Sequence, residues 1–412
     1  MSKSRLSLLL LIVVFASFSV KAQEIDETIK IKTRVVFLDA LVKDKKTNLP
    51  ISNLTPDNFA VLDEGKPRNI TYFTREGQAR KPLALVLILD LRADGAGRFL
   101  KQTEILKAME DELAKLPPGD EVAIMAMDIN NEDEERLWLT EFTSDRAQLA
   151  AALAHVPAMA AYHEGAPTEV KSTPAQAETA APAEGKPEDI VETETIRGKN
   201  GAVITRSTRR DGRVNVSRTS KNGNVTMDMG DVYDMAAAVK DATRKAAELR
   251  PNSQTSIVWV SDGIAPIFFE DRDATEQVLI RDNVIFNSLT VELRTLFKFL
   301  MPIGKPIAGW MGLSLYGSAK YLAQQSGGEA VKVGRVKDYG AGLSRIIGNL
   351  TARYSLGFAL AEDENDDGRM HSLEVRVNAK DEKGKSRKLQ VSSRQGYYMS
   401  STAPKDAAAK AQ

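Results

Sequence analysis

Residues 83–89 read Leu-Ala-Leu-Val-Leu-Ile-Leu and run into Asp90 with no polar residue between. A strand with one wet face alternates apolar and polar positions, so an uninterrupted run predicts a strand covered on both faces. Such strands belong to parallel sheets that carry helices above and below. A second run, Ile257-Val258-Trp259-Val260, ends in the same way at Ser261-Asp262-Gly263. Helical spacing joins Ile105, Met109, Leu113 and Leu116 until Pro117-Pro118-Gly119 stops it, and residues 122–127 give another strand. Val232, Met235, Ala236, Val239 and Ala246 form a helix ending before Pro251. Strands at 283–289 and 330–333 follow, with helices near 315–325 and 343–352. This alternation predicts a doubly wound α/β domain with a mostly parallel sheet. In that class ligands bind beyond the carboxyl ends of the strands, here near Asp90 and Asp262.

At 412 residues the chain exceeds one ordinary core, which predicts two or three domains. Lys plus Arg and Asp plus Glu both number 56, a balance that argues against a nucleic-acid partner held by a broad basic surface. The absence of cysteine excludes disulfides, thiolate metal sites and cysteine nucleophiles. Three histidines (His155, His163 and His371) leave little room for a histidine-rich metal centre. Lys3 and Arg5, the apolar run 6–18 and Val20-Lys21-Ala22 before Gln23 read as a secretory signal over 1–22. No later stretch is long and apolar enough to span a bilayer. The expectation is an exported chain, periplasmic or extracellular, with no transmembrane span after signal removal.

Residues 23–80 read as an amino-terminal β module. It has strand character over 29–43, a short helical turn at 54–59, and a hairpin of 60–66 with 70–73 about Asp63-Glu64-Gly65-Lys66. The α/β domain takes 81–156 and 227–352. Between them, 157–226 reads as a mobile insertion. Its first part, 157–189, is rich in Ala, Pro, Glu, Lys and Thr and cannot offset its ordering entropy. Its second part is a basic β-hairpin ribbon with turn pairs Asp211-Gly212 and Asn222-Gly223. The arginines of that ribbon, Arg206, Arg209, Arg210, Arg213 and Arg218, are expected to be solvated. The carboxy-terminal strands, 354–358 and 373–377 within 353–400, are too few to stand alone in water. The amino-terminal strands share that need, so the two chain ends should join in one smaller β module. Residues 401–412 read as a disordered tail.

Arg34-Val35-Val36 through Asp44, Leu54-Thr55-Pro56-Asp57-Asn58-Phe59 and Asp63-Glu64-Gly65-Lys66 open a recognisable order of motifs. It continues through Leu87-Ile88-Leu89-Asp90, Trp259-Val260-Ser261-Asp262-Gly263, Ser326-Gly327-Gly328, Tyr354-Ser355-Leu356-Gly357-Phe358 and Arg394-Gln395-Gly396-Tyr397-Tyr398. This order resembles the VWFA-related family of secreted bacterial proteins over most of 30–400. The resemblance implies a von Willebrand factor type A domain, Rossmann-like, flanked by β segments from both termini. Such domains often carry a metal-ion-dependent adhesion site: D-x-S-x-S after the first strand, a later Thr, and an Asp after the fourth strand hold Mg²⁺. Asp90 matches the first carboxylate and Asp262 the last. Arg92 and Asp94 occupy the serine positions, and Gly230 stands where the Thr is expected. Two readings follow for this degenerate site. Arg92 can place a fork-shaped cation between Asp90 and Asp262, or Asp90, Asp94 and Asp262 can hold a metal ion.

A second metal pattern, D-x-[DN]-x-[DN]-G-x₅-E, is met by Asp363, Asn365, Asp367 and Glu374 as calcium ligands, although strand-like flanks favour a polar hairpin loop there. His371 within it reads as a surface hairpin residue. The metal-free, Arg-bridged reading is the favoured one, so no cofactor is expected; Mg²⁺ or Ca²⁺ is the ion these patterns would take in the alternative. G-x-S-x-G, a phosphate loop and H-E-x-x-H are all absent, which argues against an enzyme. Residues 296–311 are apolar, broken by Pro302 and Pro306, and read either as a packed lid or as a partner-docking lip presenting Phe297 and Trp310 beside Arg92. The sequence therefore points to a non-enzymatic protein-interaction module. The alternative is a metal-dependent adhesin or surface protein, with an exported hydrolase a distant third.

Overall fold

The apolar run at 83–89 lies in the middle of a six-stranded sheet. The structure is a computed structural model and describes residues 34–75, 80–91, 97–100, 102–127, 136–161, 190–198, 201–209, 214–221, 223–228, 235–263, 265, 267–291, 309, 312–314, 317–361, 363–364, 366–380 and 384–399. The chain begins with β1 (Val35–Asp44), β2 (Phe59–Asp63), β3 (Lys66–Arg68), β4 (Tyr72–Thr74), β5 (Leu83–Asp90), α1 (Gly97–Leu100) and α2 (Thr103–Leu113). Next come β6 (Glu121–Met127), β7 (Arg136–Thr143), α3 (Arg146–Ala161), β8 (Ile190–Arg197), β9 (Val203–Arg209), β10 (Val214–Ser220) and β11 (Gly223–Asp228). Then follow α4 (Met235–Leu249), β12 (Gln254–Ser261), β13 (Ile267–Phe268), α5 (Phe269–Arg281), β14 (Ile285–Val291), β15 (Leu313–Ser314), α6 (Ser318–Ser326) and β16 (Ala330–Val333). The last elements are α7 (Tyr339–Thr351), β17 (Tyr354–Ala359), β18 (Met370–Val377), β19 (Leu389–Ser392) and β20 (Gly396–Tyr398).

The central sheet runs β16-β14-β12-β5-β6-β7, parallel except for β7 at one edge. All of β5 is buried. Its residues Leu83, Leu85, Leu87 and Leu89 join a core with Met109 of α2, Leu153 of α3 and Leu343 of α7. Ala84, Val86 and Ile88 join a second core with Val239 of α4, Leu279 and Leu322. Covering on both faces is why the run lacks alternation, and each such leucine contributes about 1.5–3 kcal/mol. This is the doubly wound α/β fold expected from the sequence. Three elements carried no clear signal. β7 is an antiparallel edge strand, Ala-rich α3 continues through Pro157 to Ala161, and α5 buries charged Glu270 and Asp271 beside its apolar Leu279.

The two chain ends build the smaller β module. β1 pairs antiparallel with β17 from Val35↔Ala359 to Ala40↔Tyr354, and β2 pairs with β18 from Phe59↔Val377 to Asp63↔Leu373. The two sheets, β19-β1-β17-β4 and β20-β18-β2-β3, enclose a third core that includes Leu38, Val61, Tyr354 and Phe358. Tyr354 Oη donates to the Ile51 carbonyl at 2.6 Å and accepts the Leu54 amide at 3.0 Å, joining segments about 300 residues apart. The expected hairpin needs one correction. β2 turns at Glu64-Gly65 onto β3, whereas β4 leaves for the other sheet and pairs with β17. The reason is that Lys66–Arg68 can complete the two-residue turn directly.

A second correction concerns the basic ribbon. β8 to β11 form a four-stranded antiparallel sheet, and β8 was not marked by the sequence. Arg206 and Arg218 are each only 6% exposed. Arg206 bonds Asp271 at 2.5 Å and Glu194 at 2.9 Å, while Arg218 grips Glu270 with two bonds at 2.7 and 3.0 Å. Lys240 of α4 adds bonds to Glu194 and Asp271. The ribbon is therefore docked by paired charges, because α5 offers acids at the spacing its arginines require. Among the described residues no helix is long and apolar enough to cross a membrane. The signal segment 1–22, most of the acidic Ala-Pro stretch and the tail 401–412 lie outside the described residues.

Candidate functional site

Counting strands of the central sheet along the chain, the order is third, second, first, fourth, fifth, sixth, with β5 the first and β12 the fourth. The chain winds outward through β6 and β7, then returns to the other side of β5, so the order reverses between β5 and β12. In folds of this class the connections at such a point diverge, and ligands bind beyond the carboxyl ends of the strands. The residues at those two ends are Asp90 and Ser261-Asp262, brought level by the register Leu89↔Val260.

Asp90 and Ser261 are fully buried and Asp262 is 7% exposed. Ser261 Oγ lies 2.5 Å from Asp90 Oδ2 and 3.3 Å from Asp262 Oδ1, and it accepts the Gly263 amide at 3.2 Å. A hydroxyl has one proton, and the shorter distance assigns it to Asp90 as a charge-assisted bond. Tyr339 of α7 donates its hydroxyl to the Ser261 carbonyl at 3.0 Å. Burial and the nearby charges of Asp262 and Asp90 hold that phenol well above its ordinary pKa, so it stays a neutral donor.

The arrangement offers two carboxylates and a hydroxyl, all hard oxygen donors facing one another. Such a set suits a guanidinium or a hard cation. It does not suit nucleophilic catalysis. Ser261 is fully buried, its proton is held by a carboxylate, and no described histidine bonds to it. The role of Ser261 as the hydroxyl between two acids was missed in the sequence, where it read as a strand-end residue; its place between Val260 and Asp262 was the available signal. Arg92 and Asp94, together with Phe297 and Trp310 of the apolar segment, lie outside the described residues.

In the second metal pattern, two of the described candidate ligands bond to neighbouring cationic side chains. Asp367 accepts the Arg369 amide at 3.1 Å and its Nε at 2.6 Å, with His371 Nε2 at 3.1 Å. Burial opposes its ionisation, but those three partners together hold its carboxyl down to about 2. Glu374, on the outward face of β18, has both oxygens on Arg376 at 2.7 and 2.8 Å. Asp363 is described, while Asn365 is not. The flanks are strands β17 and β18, so no helix pair frames the loop. His371 is corrected outright: it is 4% exposed and packs on Tyr397 at 5.1 Å, because its position on β18 faces the core with Leu373 and Val375.

No protein-family model matches the chain, and no curated protein matches it. Several von Willebrand factor type A domains are found among similar solved structures. One is a von Willebrand factor type A protein from Catenulispora acidiphila, at 7% identity over 89% of this chain and 75% of that one, with a TM-score of 0.37. Another is the manganese-loaded TRAP protein of Plasmodium vivax, at 10% identity over 79% and 98%, with a TM-score of 0.33. A third is the SpRpn10 VWA domain, at 8% identity over 65% and 94%, with a TM-score of 0.31. The likeness is one of fold, and no activity passes from these proteins to this chain.

Proposed function

We propose that the chain is an exported, non-enzymatic protein-interaction module whose contact surface is the carboxyl edge of the central sheet. The observation that carries this reading is the convergence of buried Asp90 and Asp262 on one hydroxyl at the point where the strand order reverses. A sheet edge with fixed charge and no activated nucleophile among its described residues is suited to recognition rather than turnover. In this reading Arg92, two residues beyond Asp90, supplies the positive charge where related domains hold an ion. Phe297 and Trp310 supply apolar anchors, the combination of aromatic centre and polar rim that strong protein contacts use. The secretory signal at 1–22 directs the chain out of the cytoplasm.

A second reading, a metal-dependent adhesin, is favoured by the all-oxygen donor set of Asp90, Ser261 and Asp262. The departures at Arg92, Asp94 and Gly230 weigh against it. One experiment separates the two. Photo-cross-linking of the tagged full chain in native envelope extract, with EDTA or with Mg²⁺, should capture the same partner in both buffers. Asp262→Ala, folded by circular dichroism, should lose that partner. Capture that requires Mg²⁺ favours the adhesin reading, and capture that survives Asp262→Ala contradicts a contact at this edge.

A further inference from the structure

Two segments far apart in sequence bring a histidine and two carboxylates together in the β module. Asp63 ends β2, Glu64 opens the turn into β3, and His371 stands on β18 two residues before Leu373, the register partner of Asp63. One oxygen from each acid and one ring nitrogen of His371 all lie within 4.8 Å of one another. The turn itself aims Glu64. Both Glu64 (φ 49°) and Gly65 (φ 77°) take the left-handed region, as the tightest two-residue hairpin turn demands.

The surrounding bonds leave specific atoms available. Asp63 is 3% exposed, and its Oδ2 is filled by Arg68 Nε at 3.0 Å, Arg68 Nη2 at 2.7 Å and Tyr397 Oη at 3.1 Å. Its Oδ1 is buried with no hydrogen-bond partner. A buried carboxylate oxygen without a donor is costly, by about 1–3 kcal/mol or more for a charged group, and a cation would remove that penalty. Glu64 Oε1 accepts the Ser372 amide at 2.7 Å, with Arg369 Nη1 at 3.5 Å, which leaves its other oxygen open. His371 has Nε2 on Asp367 and its ring on Tyr397. A carboxylate on one ring nitrogen fixes the tautomer and leaves Nδ1 as the lone-pair nitrogen, the support that metal-bound imidazoles commonly have. The acids Asp63, Glu64, Glu364 and Asp367 outnumber the cations Arg68 and Arg369 in this cluster, so a divalent ion enters a negative field.

We propose that Asp63, Glu64 and His371 form a site for a divalent cation of the zinc class. One imidazole nitrogen with two carboxylates suits Zn²⁺ better than Mg²⁺ or Ca²⁺, which prefer oxygen alone. Bonds of about 2.0–2.2 Å set three donors about 3.4 Å from one another, and the exposed Glu64 side chain can move toward the buried pair of Asp63 and His371. Three protein ligands leave a fourth position for water or a partner's group. The ion would fasten the amino-terminal hairpin to the carboxy-terminal strand and stabilise the folded chain by mass action.

The full chain, stripped with EDTA and dialysed, should take up one equivalent of Zn²⁺ at micromolar affinity or tighter by titration calorimetry, and Zn²⁺ should raise its melting temperature. Glu64→Gln, at an exposed turn, and His371→Gln should each weaken binding at least tenfold with an unchanged circular dichroism spectrum. Asp262→Ala should bind Zn²⁺ as the wild type does, which keeps this site separate from the sheet edge. Absence of binding by the wild type, or binding that survives Glu64→Gln and His371→Gln in folded protein, overturns the proposal.

Discussion

Arg218 shows what a single side chain does to the placement of the inserted sheet. Its Nη2 and Nε donate to the two oxygens of Glu270 at 2.7 and 3.0 Å, and both residues are almost wholly buried. Breaking such a pair leaves an uncompensated buried charge, which costs far more than the pair contributes. Glu270→Ala should therefore lower unfolding stability by about 3–5 kcal/mol in a urea titration, whereas Arg218→Met combined with Glu270→Leu should be close to neutral. A small loss in the single variant would mean the ribbon is held by its backbone and apolar contacts instead. From sequence alone, Arg206 and Arg218 could not be told from solvated arginines, because the acids that bury them, Asp271 and Glu270, come more than 50 residues later. The same holds for the grouping of His371 with Asp63 and Glu64, which lie some 300 positions earlier. Asp90 and Asp262 were legible because each ends an apolar run that announces its own strand.

At the scale of elements, the motifs Ser326-Gly327-Gly328 and Arg394-Gln395-Gly396 are two sides of one contact. Gly327 caps α6 at φ 81°, and a Cβ there would stand 2.5 Å from the Arg394 amide nitrogen and 2.6 Å from the Ser393 carbonyl carbon. Gln395 donates its amide to the Gln325 carbonyl at 2.9 Å, and Arg394 Nη1 reaches the last turn of α5 at the Ile280 carbonyl. Burial pushes the Arg394 guanidinium down to about 10, a sign of how fully this joint excludes water. Gly327→Ala faces both a left-handed backbone and a backbone clash, so it should destabilise by more than about 1 kcal/mol, read from the urea midpoint. An unchanged midpoint would show that the β module moves away at little cost. Strands and helices with strong periods, such as β5, β12 and α2, were readable in the sequence. β7, α3 and α5 were not, since an edge strand, an alanine-rich helix and a helix with buried acids each lack the expected apolar stripe. The partner of β2 was misread for a related reason: β3 is three residues long and carries Pro67, so its place is set by the turn rather than by its own pattern.

At the scale of the whole molecule, the α/β domain is an insertion between two halves of a β module whose strands pair across some 300 residues of chain. Neither half can form a stable sheet by itself, which is why the architecture was legible from unmet pairing needs at both ends. The chemistry at the edge was legible only in its carboxylates. What surrounds them was not, because Ser261 and Tyr339 act through positions that only the folded sheet aligns. The central claim is that partners are recognised at that edge. Hydrogen exchange measured on the full chain with and without the partner captured by cross-linking tests it most directly. Slowed exchange at residues 90–91 and 261–263, with the amides of β1, β2, β9 and β10 unchanged, is the expected result; slowing confined to the ribbon or the β module, with the carboxyl edge unaffected, would contradict it.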